Sequence, residues 1–206
     1  MQACHKGEEY EKISLRYLTN GVFGELLANL HLFVEDTDLE DLIRCLEFCS
    51  ISNDGMILVN QRISEVMLIV NKCFQINRSQ ATESVLIVPN INILYPAATI
   101  LLDLTANEEI IAKVSQEMMN HDMYGFIIKY QLPILMNKDL RQTQLRKLRD
   151  LFIGIVLNIT CNIDDTQITT YLINEIDILQ SLMQILQDQR QDWPTQGAAQ
   201  ALMQYS

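Results

Sequence analysis

Between Leu148 and Asn162 the chain reads Leu-Arg-Asp-Leu-Phe-Ile-Gly-Ile-Val-Leu-Asn-Ile-Thr-Cys-Asn. Leu148, Leu151, Phe152, Ile155, Val156 and Ile159 recur at helical spacing. Ile153 and Leu157 widen the stripe until almost the whole helix is apolar, and such a helix must be covered by neighbours on most sides. Gly154 weakens it by roughly 1 kcal/mol relative to Ala, and an interior glycine of this kind marks the close approach of another helix backbone.

The same periodicity, read from the N-terminus, predicts a frayed polar segment over 1–9 and a single domain over 10–206. Helices are expected at 10–18, 22–34 and 39–51, the last capped by Asp38 within Glu35-Asp-Thr-Asp38. Ser52-Asn-Asp-Gly55 gives the strongest turn signal, and 56–76 reads as one long helix. The polar gap 77–84 suggests a mobile loop, whereas Val85–Val88 fits either a helical turn or an extended segment. Pro89 and Pro96 break the pattern before a helix at 97–105. Further helices follow at 107–119, 122–136 (ended or bent by Pro133), 140–161 behind an Asp139 cap, 165–174, 178–189 and from Trp193-Pro194 onwards.

Composition narrows the class. Seven glycines and four prolines in 206 residues are too few for the turns of an all-β fold, so the chain is expected to be all-α. No run approaches 18 apolar residues, and the first ten residues lack the apolar core of a secretory signal. Five cysteines, an odd number, then fit thiols in an intracellular protein, cytoplasmic or nuclear. The net charge of −11 disfavours nucleic acid and anionic membranes as partners and favours basic ones, although it also serves solubility.

Two phrases echo each other. Leu102-Asp-Leu-Thr-Ala-Asn107 and Leu157-Asn-Ile-Thr-Cys-Asn162 stand 55 residues apart, and each precedes acidic residues and an Ile-containing short helix. A weaker third copy aligns Leu202 with Leu157, placing Ala199 opposite Gly154 and Thr99. Units that cannot bury their apolar faces alone must stack. Residues 157–205 resemble one unit of the armadillo family, whose repeats of about 40 residues have a short first helix, a second, and a long third helix closing on a Leu-x-Asn-Leu-like phrase. The resemblance covers roughly half the chain, most clearly 97–206, and implies an armadillo-like helical repeat, an α-solenoid of about nine or ten helices. The glycine that usually separates first and second helices is absent; Asn120-His121 and Asn174-Glu175 stand there. Asn158 takes the place of the family's peptide-holding asparagine ladder, but Asp103 and Met203 occupy the equivalent sites, which argues against an import-type peptide groove.

Candidate chemistry is sparse. Cys45 and Cys49 share a helix face, but a metal half-site needs two more ligands, with His31 the one conceivable helper, so core packing is the better reading. His5, His31 and His121 form no catalytic spacing, and no phosphate loop, nucleophile elbow or paired-carboxylate motif is present. No cofactor and no enzymatic activity are expected. The one basic concentration is Lys138, Arg141, Arg146, Lys147 and Arg149, which suits an acidic partner segment or else a solvated helix face. Met118, Met119, Met123 and Met136 crowd Tyr124, Phe126 and Tyr130, a group that fits either the core or an adaptable docking surface.

The function expected is that of a scaffold or adaptor, a protein–protein interaction module engaging an acidic or amphipathic segment of another protein. Its interface is assigned to the basic strip, Asn158 and the C-terminal helix bearing Leu202 and Tyr205, through which self-association is also open. The alternative is a regulatory helical bundle whose groove takes an apolar ligand or one amphipathic helix. An enzyme would need His31 or His121 gathered with carboxylates in a deep polar pocket.

Overall fold

The computed structural model describes residues 36–51, 53–80, 90–136, 143–162, 165–187 and Ala199. These residues are all-helical, with no strand among them. The α-helices are α1 (Asp36–Ile51), α2 (Asn53–Gln61), α3 (Ile63–Gln80), α4 (Ile91–Thr105), α5 (Ile111–Asn120), α6 (Leu132–Leu135), α7 (Thr143–Asn162), α8 (Thr166–Tyr171) and α9 (Ile178–Gln187). Two π-helical segments, π1 (Gly125–Gln131) and π2 (Leu172–Ile176), precede α6 and α9 respectively. No helix among the described residues is long and apolar enough to cross a membrane.

The elements fall into rows. Long helices α1, α4 and α7 pack in that order, α1 on α4 and α4 on α7, while α3, α5 and α8 form a second ordered row. A third contact joins π1 to π2. Helix α7 is the apolar centre expected of it: every residue from Phe152 to Leu157 is buried. Phe74 of α3 knits the rows together, stacked on Phe126 of π1 at 4.7 Å and edge-on to Phe152 of α7 at 6.1 Å. Such aromatic pairs contribute roughly 0.5–1.5 kcal/mol beyond their buried area.

Several boundaries differ from the periodicity reading. Helix α1 already runs at Asp36, so Asp36 and Asp38 lie within its first turn, where negative charge suits the positive end of the helix dipole. The expected 56–76 helix begins at Asn53 and breaks at Arg62 into α2 and α3. Helix α3 then continues to Gln80, through residues assigned to a loop. It does so because Asn77 is buried, its amide donating to the Cys73 carbonyl at 2.9 Å and its Oδ1 accepting from the Asn90 amide at 2.7 Å. Pro96 does not precede a helix but sits inside one. An interior proline costs about 3 kcal/mol, and burying Ile93 and Leu94 beside it offsets that at about 1.5–3 kcal/mol each. Residues 1–35, 81–89 and 188–198, with the helices and the mobile loop expected there, lie outside the described residues, as does the Asp139 cap.

Gly154 does face a neighbouring helix, but a side chain takes the space. A Cβ built there would lie 2.8 Å from Leu102 Cδ1, with no backbone of α4 among the nearest atoms. The two echoing phrases close α4 and α7, and Asn158 of the second donates to Thr105 Oγ1 of the first at 3.3 Å.

Candidate functional site

Among the described residues the two π segments depart from regular α-helix, and π turns recur at functional positions. Each is bordered by an aspartate in the left-handed region: Asp122 (φ 51°) shortly before π1, and Asp177 (φ 60°) directly after π2. Aspartate is among the few side chains that enter this region at modest cost. Asp122 turns its carboxylate back over Gly125, where any Cβ would collide with it, and holds the Arg78 guanidinium at 2.9 Å. Arg78 in turn lies 5.1 Å above the ring centre of the half-exposed Tyr130. Burial, reinforced by the Asp122 charge, pushes the Tyr171 hydroxyl above its ordinary pKa.

Lys129 on π1 reaches across and donates its ammonium to the Glu175 carbonyl on π2. That clamp and the Tyr124–Tyr171 ring contact at 6.2 Å hold the two π segments side by side. Between π1–α6 and π2–α9 opens a solvent-facing groove of about 290 Å³. Ile128 and Ile176 form its floor, and Pro133 and Lys129 one wall. The opposite wall is polar: Asp177 at the end of π2, then Gln180, Ser181 and Gln184 along α9. Among the described residues Asp177 has no ion-pair partner. The groove therefore offers amide donors and acceptors, a hydroxyl and one carboxylate over an apolar floor, a set that binds and orients a ligand.

A second polar locus lies in the α1–α4 seam. Ser50 is buried and donates to Asp103 Oδ2 at 2.8 Å. Burial pushes both the Glu47 and the Asp103 carboxyls above their usual range, and the Asp103 charge raises Glu47 further against a hydrogen bond from Thr99. Glu117 accepts from Ser64 at 2.7 Å and lies 3.7 Å from His121 Nε2. His121 is thus set beside a carboxylate, but it does not line the groove. Among the described residues no group of three or more metal-ligating side chains gathers.

The interface expected from sequence is only partly described. Lys138, Arg141, Leu202 and Tyr205 lie outside the described residues, and so do His5, His31 and the side chain of Cys49. Arg146 and Lys147 are exposed on the first half of α7. Arg149 is not part of that exposed strip: it is 3% exposed, with its guanidinium turned onto Asp150 at 2.8 Å. Asn158 is half-buried and serves the α4–α7 contact. The methionine-rich cluster belongs to the core, since Met118, Met123, Tyr124 and Phe126 are buried, and Tyr130 alone of that group is exposed. Cys73 is fully buried, and its thiol is pushed well above the usual range by that burial.

Sequence reasoning missed the groove. Over the seven residues of π1, a π turn and an α turn bury nearly the same positions, so periodicity does not separate them. The legible signal was Gln180 and Gln184, two amides four apart on the polar side of a strongly amphipathic helix. No family model matches the chain, and no curated protein or solved structure matches it either.

Proposed function

We propose that this protein is a non-enzymatic interaction module, a scaffold or adaptor built from stacked armadillo-like units that holds a partner protein on its helical surface. One observation supports it above the rest: three side-chain hydrogen bonds between neighbouring helices of the same row share a spacing of 53 residues. Ser50 to Asp103 and Asn158 to Thr105 link α1, α4 and α7, and Ser64 to Glu117 links α3 to α5. A constant spacing between neighbours is what a stack of similar units produces, because each unit contacts the next through the same faces. The rows α1–α4–α7 and α3–α5–α8 fit the third and first helices of such units, with π1–α6 and α9 in the second position. Against the competing reading of a bundle that encloses an apolar ligand, the interior lined by Met118, Tyr124, Ile155 and Leu172 has no space for even a water molecule.

Arg146 and Lys147 remain the exposed basic pair for an acidic partner segment. The test is affinity capture from native lysate with the wild-type chain and with Arg146→Glu/Lys147→Glu. Arg149 is left intact because it is buried. A stoichiometric protein held by the wild type supports the adaptor reading, and its loss on charge reversal assigns the basic pair. A folded chain that holds no protein at stoichiometric amounts sinks the reading.

A further inference from the structure

We infer that the seam between α1 and α4 is a proton-operated latch, in which the Asp103 and Glu47 carboxyls hold α1 on α4 when protonated and loosen it when ionised. Glu47 and Ser50 lie three apart on α1, and Thr99 and Asp103 four apart on α4, so each pair shares one face of its helix. The two faces meet across the seam, where Ser50 reaches Asp103 and Thr99 reaches Glu47. Both hydroxyls also have an acceptor on their own backbone. Ser50 Oγ lies 2.9 Å from the Glu47 carbonyl, and Thr99 Oγ1 lies 3.1 Å from the Tyr95 carbonyl.

The supply of protons sets the direction of the latch. A hydroxyl has one proton to donate, whereas a carbonyl or an ionised carboxylate only accepts. With both carboxylates ionised, each hydroxyl must divide its proton between a carbonyl and a carboxylate. A proton on Asp103 ends that competition: the carboxyl donates to Ser50 Oγ, and Ser50 donates to the Glu47 carbonyl. A proton on Glu47 does the same for Thr99. Each proton comes from solvent, and no other covalent bond changes. Burial favours the protonated form of both carboxyls, and the Asp103 charge adds to it at Glu47. Arg44 acts on Glu47 in the opposite sense, but its guanidinium is held by Glu40 at 2.9 Å. Helix α1 also packs on α2 and α3, and α4 on α3, α5 and α7. Charges on α3, α5 and α7 are engaged elsewhere: Arg78 with Asp122, Glu117 with Ser64, and Arg149 with Asp150. Both carboxyls thus bind protons more readily in the closed seam than in water, and closure strengthens as pH falls through their raised range.

The experiment follows hydrogen exchange of the full chain by mass spectrometry from about pH 7 to about pH 4, with the protection of Asp36–Ile51 taken relative to that of α7. Helix α7 packs on α4 and carries neither carboxyl, so the ratio removes the pH dependence of exchange chemistry and of global unfolding. The ratio is expected to rise about two- to tenfold as pH falls, the worth of one hydrogen bond. In the same interval the carboxyl carbon of Asp103 titrates by NMR above the ordinary aspartate range. Asp103→Asn/Glu47→Gln, whose amides donate at every pH, holds the ratio at its acid value throughout. A wild-type ratio that is flat, or that falls with acid, overturns the latch. So does an Asp103 signal that titrates in the ordinary range, or a folded double variant that stays pH-dependent. The wild-type ratio and carbon signal decide the matter even where the double variant fails to fold.

Discussion

Substitution of Gly154 measures how tightly α4 and α7 meet. Replacing an interior helical glycine with alanine gains about 1 kcal/mol of helix propensity. Here the new Cβ lies 2.8 Å from Leu102 Cδ1, whereas carbon atoms prefer about 3.5–4.0 Å, so Leu102 must retreat by roughly 1 Å. Leu102 is half-buried and moves by its side chain alone, at about 0.5–1.5 kcal/mol for an off-rotamer torsion. The two effects nearly cancel, so Gly154→Ala leaves stability within about 0.5 kcal/mol of wild type. With Leu102→Ala as background the obstacle is gone, and the same glycine substitution stabilises by about 1 kcal/mol. The four proteins of this cycle are compared by urea unfolding followed by far-ultraviolet circular dichroism, the cost of Leu102→Ala itself cancelling in the difference. Equal stabilisation in both backgrounds would refute the close contact. A loss of more than about 3 kcal/mol in both would mean that backbone, not Leu102, occupies the space.

Three further outcomes follow from the same reasoning. Glu47 and Asp103 have folded-state pKa values above those of the unfolded chain, so the folded state binds more protons and stability rises as pH falls from neutral. The penalty is present above the folded-state pKa values and is lost as pH falls through the ordinary carboxylate range, so Glu47→Gln raises the urea midpoint more at about pH 7 than at about pH 4; an equal gain at both would rule out the titration. Arg149→Glu puts a second carboxylate beside Asp150 in a buried position and costs about 3–5 kcal/mol, whereas the exposed Arg146→Glu stays within about 0.5 kcal/mol by thermal unfolding. Asp165 caps α8 by accepting from the Gln167 amide at 2.8 Å and the Ile168 amide at 3.1 Å, so Asp165→Ala costs about 1 kcal/mol and increases hydrogen exchange across Thr166–Tyr171.

The sequence by itself determined the all-helical class, the buried course of α7 and the closing phrases of α4 and α7. Those features rest on local periodicity, which survives any arrangement of neighbours. Asp165 could be recognised as the start of a helix for the same reason, since a cap acts within three residues. Tertiary contacts decided the rest. Whether α3 stopped at Ile76 or ran on to Gln80 depended on Asn77 finding the Asn90 amide, 13 residues away along the chain. Whether Arg149 joined the basic strip depended on which side of α7 was covered, and on a helix apolar almost all round a single arginine does not announce its direction. The groove arose only where π1 and π2 pack side by side, with Lys129 and Glu175, 46 residues apart, meeting across them. A site made from two distant irregular turns leaves no periodic trace in either, so only the folded chain assembles it.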